Sequence, residues 1–399
     1  MKKEDIFGLF VYLILLALAI VFGFTVLNTH ASQSFIGSKV GTFGYMGFMF
    51  LAILTGLLFN STLFELAHML GAKLGRYEVS SVNILGFCFF KEDGKRKIKF
   101  RSFEGLTGET KIYPKDNLVN KKGEHKESSP YAYLWFGSIA IVIEVVVVMV
   151  LFTLLKGEGN TLVSDFAYFI LTIGMIGVLI LIYNILPFKL DTPTDGYKLT
   201  LVSNPKNKVA FNELLRVQRA MEEGKEVEIK TFTEITNYTA NLNLNKVYQL
   251  LDKRDFANAE PLLDMIINAK DNVSYSVYIR ARAQKIYINL MNKPLDEARE
   301  YYEKEVPASE RRDISQDISM PSIRVYLLMS GLLDKSKSEC LIALNNVIKA
   351  YKKTPKNRQQ IEVDLFNETL QKVVDAHPKW ELEGYKLSIQ ESKKEKENK

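Results

Sequence analysis

Two cysteines and four histidines in 399 residues leave little room for several common chemistries. Cys88 and Cys340 are too few for a disulfide framework or a thiolate zinc site. A metal centre would have to draw on carboxylates and on His30, His68, His125 or His377. Long apolar runs are also missing after residue 200, where the chain is charged, Leu-rich and expected to be soluble. The formal charge of +6 is modest. It is concentrated in one loop, which excludes nucleic acid as the expected partner and reads instead as basic protein surface beside anionic lipid.

Before residue 200 the composition inverts. Four apolar runs, near Ile6–Leu27, Val40–Leu63, Tyr133–Leu155 and Phe166–Leu186, each approach or exceed the ~20 residues needed to cross a hydrocarbon core. The first reads as a retained span, being too long for a signal peptide and followed only by the weak cleavage-like Asn28-Thr29-His30-Ala31-Ser32. Residues 76–130 carry twelve Lys and Arg, whereas the connections on the other side hold only Lys39 and Lys156. The positive-inside rule therefore predicts a multi-pass cell-membrane protein with the N-terminus, the 76–130 loop and the C-terminus in the cytoplasm. Both cysteines then fall on the reducing side.

Within residues 88–130 the period changes. Ile98, Phe100 and Phe103 alternate partly with Lys97, Lys99 and Arg101, and Asp93-Gly94, Gly105 and Gly108 punctuate. This predicts a small antiparallel β ribbon on the cytoplasmic side, followed by a polar loop over 114–130. Such a ribbon either pairs an extended peptide along its open edge or packs at the headgroups. From Asn207 onward apolar residues recur at 3.6-residue spacing in pairs: Leu250-Leu251, Phe256, Ala259, Leu262-Leu263, then Ile286, Leu290, Leu295, Ala298. Lys253–Ala259 and Asn292–Ala298 occupy matching turn-then-helix positions, and Gly331-Leu332-Leu333-Asp334 opens a third unit. The expected fold class is mainly α: a polytopic helical membrane domain of about four spans over 1–203, then a soluble α-solenoid-like domain over 204–390. Lys393–Glu397 reads as part of a disordered tail over 391–399.

Two distant motifs fall at one predicted membrane face. The second apolar run ends in Phe64-Glu65-Leu66-Ala67-His68, followed by Met69-Leu70-Gly71-Ala72. The fourth ends in Asn184-Ile185-Leu186-Pro187, with Pro193-Thr194-Asp195-Gly196 after it. A His-Glu-x-x-His helix with a later Asn-x-x-Pro…Asp-Gly segment is the pattern of the site-2 protease family of intramembrane zinc metallopeptidases, which the first 200 residues resemble. Small Gram-positive bacterial members, with a basic loop after the motif and Asp-Gly-Tyr at the distal ligand, look most similar. The C-terminal half lies outside this resemblance and resembles degenerate tetratricopeptide-like helix pairs, whose usual use is partner binding.

The resemblance implies Glu65 as catalytic base, His68 and Asp195 as metal ligands, and Asn184 as the residue holding substrate. It also puts Phe64 where the first zinc-ligand histidine belongs, and phenylalanine has no lone pair. A catalytic zinc takes three protein ligands and a water. His30, expected outside the membrane, His125 in the polar loop and His377 in the last helix are not placed to replace it, so Asp191 is the candidate substitute ligand. The helix that in the family often carries Gly-Pro and an asparagine has Gly137-Ser138 and Ile141 here. Glu144 lies inside the third span, where an isolated carboxylate must face inward, carry a proton or pair helices. Three functions follow. One is a pseudoprotease that binds a membrane-embedded peptide or partner without cutting it and needs no cofactor. Another is an active zinc metalloprotease with a remodelled site and a peptide or membrane-anchored substrate. The third is a bilayer anchor for a cytoplasmic protein-binding solenoid.

Overall fold

The structure is a computed structural model that describes residues 3–92, 95–102, 107–115, 127–157, 161–188, 193–354 and 358–388. It divides into two compact units, Met1–Lys208 and Val209–Lys399. Asp191, His125, Phe103 and the 391–399 tail lie outside the described residues, as do the turn at 93–94 and most of the 114–130 loop.

The first unit is built on four helices long and apolar enough to cross a membrane. The first begins as α1 (Lys3–Phe22), passes through a π-helical turn at Gly23–Leu27 and ends as the short α2 (Asn28–Ala31). Next comes α3 (Phe35–Leu74), opened by Ser34, whose hydroxyl accepts a hydrogen bond from the Gly37 backbone N–H. Its axis breaks at Gly41, where φ is 74°, a value glycine alone adopts without strain. After the sheet come α4 (Pro130–Leu155) and α5 (Leu162–Ile185), and these pack against each other and against α3. Their outer faces are largely apolar and exposed. A polar cluster ties α2 and the start of α3 to α5. His30 Nε2 lies 2.9 Å from Asp165 Oδ1, its ring stacks on Tyr168, and the Ile36 N–H donates to Asp165 Oδ2 at 2.7 Å. His30 is thus engaged with Asp165 at the α2–α5 end.

The β ribbon expected from residue 88 is larger than its sequence pattern suggests. It is a four-stranded antiparallel sheet of β1 (Tyr77–Ile84), β2 (Phe87–Glu92), β3 (Lys95–Phe100) and β4 (Gly108–Pro114), in the order β3-β2-β1-β4. Only Gly75 and Arg76 separate α3 from β1. The β1 segment has one buried face broken by a bulge between Val79 and Ser81, which blurs its alternation. The short α6 (Asp195–Val202) then follows the fourth long helix, and α7 (Pro205–Glu222) crosses the boundary between units.

The second unit is all helical: α8 (Asn237–Asp252), α9 (Phe256–Asn268), α10 (Tyr275–Asn292), α11 (Leu295–Glu305), α12 (Ala308–Gln316), α13 (Met320–Leu328), α14 (Lys337–Lys353) and α15 (Gln359–Ala376). The turns expected at Lys253–Asp255 and Asn292–Pro294 fall between α8 and α9 and between α10 and α11. The third unit differs. Gly331 and Leu332-Leu333 continue α13 as a π-helical turn, Met329–Leu333, and a separate α12 precedes it. Helix α10 packs on α8, α9 and α13, and α13 packs on α14 and α15. A single apolar core runs through these helices, from Ala240 to Val374. His377 sits just past α15, its ring stacked on Trp380 and its Nε2 2.8 Å from the Gly331 carbonyl.

Candidate functional site

An α-helix brings residues three and four apart onto one face, so α3 presents Phe64, Glu65 and His68 together, all buried. Helix α4 answers with Tyr133, Gly137, Ile141 and Glu144 at the same spacing. At Gly137 the backbone of α4 comes up against the side chains of α3. A Cβ there would lie 2.6 Å from His68 Nε2 and 2.7 Å from Phe64 Cε2, so any larger residue would displace both rings.

Glu65 is fixed by the sheet. Thr107 donates its hydroxyl to Glu65 Oε1 at 2.9 Å and Thr110 donates to Oε2 at 2.6 Å. Tyr133 ties the same strand to α4, its hydroxyl donating to the Thr110 carbonyl at 2.9 Å. The ring of Tyr133 also sits 4.9 Å from that of His68, and Phe64 meets His68 edge-on from the other side at 4.5 Å.

His68 and Asp195, more than a hundred residues apart in sequence, are brought together: His68 Nε2 lies 3.1 Å from Asp195 Oδ2. The loop after α5 makes this contact. Thr194 caps α6, accepting from the Tyr197 N–H, and its hydroxyl reaches the Leu186 and Phe188 carbonyls at 2.6 and 3.1 Å. Gly196 then passes so close to α5 that a Cβ would lie 2.0 Å from the Ile185 carbonyl oxygen. The glycine of the Asp-Gly pair is therefore a packing requirement. Asp195 begins α6, where a negative charge suits the helix N-terminus. Burial opposes its carboxylate, but His68 and Lys198, the latter 3.4 Å away, outweigh that and hold its pKa below the ordinary range.

Asn184 is not drawn into this contact. Its amide donates to the Ile180 carbonyl at 3.0 Å, back into its own helix. Phe64 is 2% exposed and packs with Ile141 and Ile180. At these two positions the residues that depart from the resemblance, Phe64 and Ile141, complete one apolar plug.

Deeper in the bundle, beyond this plug, is a second polar layer. Asn60 spends its amide N–H groups on the Gly56 and Ile173 carbonyls, both at 3.0 Å, which orients Oδ1 away from them. Asn60 Oδ1 and Glu144 Oε2 lie 2.8 and 2.7 Å from one point, the place a Cβ on Gly177 would take. None of these oxygens, nor Glu144 Oε1, has a hydrogen-bond partner among the described residues.

Whether the upper layer suits zinc is decided by its donors. Phe64 supplies none. Each oxygen of Glu65 accepts from a threonine hydroxyl, His68 Nε2 pairs with Asp195 Oδ2, and the buried His68 Nδ1 has no hydrogen-bond partner among the described residues. Among the described residues no group of three His, Cys, Asp or Glu is placed to hold a metal ion. The residues described here do not fit a three-ligand catalytic zinc site. Beside Asp195 a cleft of about 360 Å³ opens between α4, the end of α5 and α6, lined by Tyr131, Trp135, Ile185, Pro187, Leu199 and Thr200.

Sequence reasoning did not find Thr107, Thr110, Tyr133 or Asn60. For Tyr133 a signal existed, since it shares the 4-4-3 spacing of Gly137, Ile141 and Glu144. Comparison of the chain with protein-family models, with curated proteins and with solved structures finds no match.

Proposed function

We propose that this chain is a site-2-protease-like membrane protein that binds a membrane-embedded peptide or partner and does not cleave it by zinc chemistry. The observation that carries this reading is the state of the first ligand position. Phe64 is buried in an apolar plug while His68 and Asp195, the two remaining ligand types, pair with each other. With phenylalanine at that position the ordinary three-ligand set is short by one donor. The matching backbone features support the family resemblance: a motif helix, a distal Asp-Gly held against α5 and a sheet touching Glu65. The cleft beside Pro187 and Gly196 is the proposed peptide seat, being apolar on one side and adjacent to the family's substrate-holding Asn184.

In this reading the apolar helices span the cell membrane, with the sheet and the second unit in the cytoplasm. Stacking of α8, α10, α13 and α15 supports a tetratricopeptide-like module that takes a cytoplasmic protein. The test is binding measured separately from cleavage. In detergent or nanodiscs, a fluorescent single-span peptide should bind, remain intact, and lose affinity on Leu199→Arg in the cleft. Glu65→Gln should leave that affinity unchanged. Cleavage of the peptide that is abolished by Glu65→Gln would overturn the reading in favour of an active protease.

A further inference from the structure

The sheet has a bare face whose direction can be worked out from strand register. Residues directly opposite in antiparallel strands point to the same side. Thr110 pairs with Val82, Val82 with Phe89 and Phe89 with Ile98, so these four form one row across the sheet. Gly108, Ile84, Phe87 and Phe100 form the adjacent row on that side. Thr110 touches Glu65 of α3, so this is the side that faces the helices. Along the first row exposure climbs from 3% at Thr110 and 7% at Val82 to 44% at Phe89 and 64% at Ile98. Phe87 and Phe100 stack edge-on at 5.7 Å and are 53% and 78% exposed. The helices cover β4 and β1, and the same face continues uncovered over β2 and β3. Next to the apolar rows, and still on this face, Lys91 pairs with Arg96.

We propose that the β2–β3 hairpin lies on the anionic bilayer surface that surrounds the helices. Phe87, Phe89, Ile98 and Phe100 sit at the acyl–headgroup boundary, and Lys91 and Arg96 meet anionic headgroups. This rests on the membrane reading of the four apolar helices. The occupant follows from continuity and charge. The sheet starts two residues after α3 ends, its bare face looks to the helix side, and aromatic rings beside cations match the interfacial belt of a bilayer. Contiguous exposed apolar side chains rimmed by polar ones mark protein or membrane interaction surfaces. The consequence is that the sheet, and with it Thr107 and Thr110 on Glu65, is held at a fixed depth by lipid composition as well as by protein contacts.

Depth-dependent quenching tests this in the full chain. In a Trp135→Phe/Trp380→Phe background shown to be folded by circular dichroism, single tryptophans are placed by Phe100→Trp, Val142→Trp on the outer face of α4, and Tyr385→Trp in the second unit. The expected result in nanodiscs of brominated anionic lipid is loss of emission for Phe100→Trp and Val142→Trp but not for Tyr385→Trp. The loss at Phe100→Trp should shrink on adding Lys91→Glu and Arg96→Glu. Quenching of Val142→Trp alone would overturn the proposal while leaving the membrane reading intact. Quenching of neither would remove the membrane reading and the proposal with it. Shielding of Phe100→Trp that survives charge reversal, or that appears in lipid-free micelles and weakens on dilution, would overturn it in favour of a protein partner or a second copy.

Discussion

Gly331→Ala should destabilise the helical unit, and Val373→Ala should relieve it. The new Cβ would lie 2.6 and 2.9 Å from the two γ-methyls of Val373 on α15, well inside contact distance. Gly331 and Val373 are both buried, so neither backbone can retreat without disturbing the shared core. Overpacking of this kind costs ~1–3 kcal/mol, and the gain in helix propensity from glycine to alanine returns about 0.5–1 kcal/mol. The net loss, up to ~2.5 kcal/mol, should lower the Tm of a unit of this size by up to about 10 °C. Val373→Ala alone removes two buried methyls and should cost ~1–3 kcal/mol. Combined, the added methyl fills the space the valine vacates, so the double variant should be more stable than the sum of the single losses by ~0.5–2 kcal/mol. The assay is urea unfolding of residues 205–388, followed by far-UV circular dichroism. Strict additivity would show that α13 and α15 do not meet at Gly331. A fragment that fails to fold would show that the second unit does not carry its own core.

Burial pushes the Cys340 thiol up to about 12, so below that pH the folded unit should show no thiolate there. A maleimide should therefore label Cys340 at pH 8 only after denaturant is added, and rapid labelling of the native protein would contradict its place in the core. In the bundle, Glu144→Gln keeps the shape and offers an N–H to Asn60 Oδ1, so it should leave detergent-solubilised thermal stability within about 1 kcal/mol of the parent. Glu144→Leu offers no such donor and should be less stable than Glu144→Gln by ~1–3 kcal/mol. Equal melting of the two variants would separate Glu144 from Asn60. Accessibility tags after residue 115 and at the C-terminus should report the cytoplasm, and tags near Ser34 the exterior. An exterior signal from residue 115 would overturn the orientation drawn from the loop charges.

Periodicity made the helices legible because apolar spacing is set by the same geometry that packs them: Leu250-Leu251 and Leu263 lie in or against one core, as their 3.6-residue recurrence requires. The π turn at Met329–Leu333 and the separate α12 were not legible, since an inserted residue or a short polar helix leaves no periodic trace. The first strand was lost to its bulge, which shifts the buried face halfway along. At the site, His68, Asp195 and the gap at Phe64 were readable because local motifs carry them. The threonine pair on Glu65 was not, because it depends on where a sheet docks. The surroundings of Phe64 became clear only from packing: Ile141 and Ile180 close around it.

The most direct test of the central claim is the zinc content of Phe64→His beside that of the unaltered protein. After metal-free purification and exposure to micromolar zinc, the unaltered chain should hold far less than one equivalent, since Phe64 supplies no donor beside His68. Phe64→His adds a third donor next to His68 on a backbone already in place, and its occupancy should rise toward one zinc per chain. A full equivalent in the unaltered protein, lost on His68→Ala, would contradict the account.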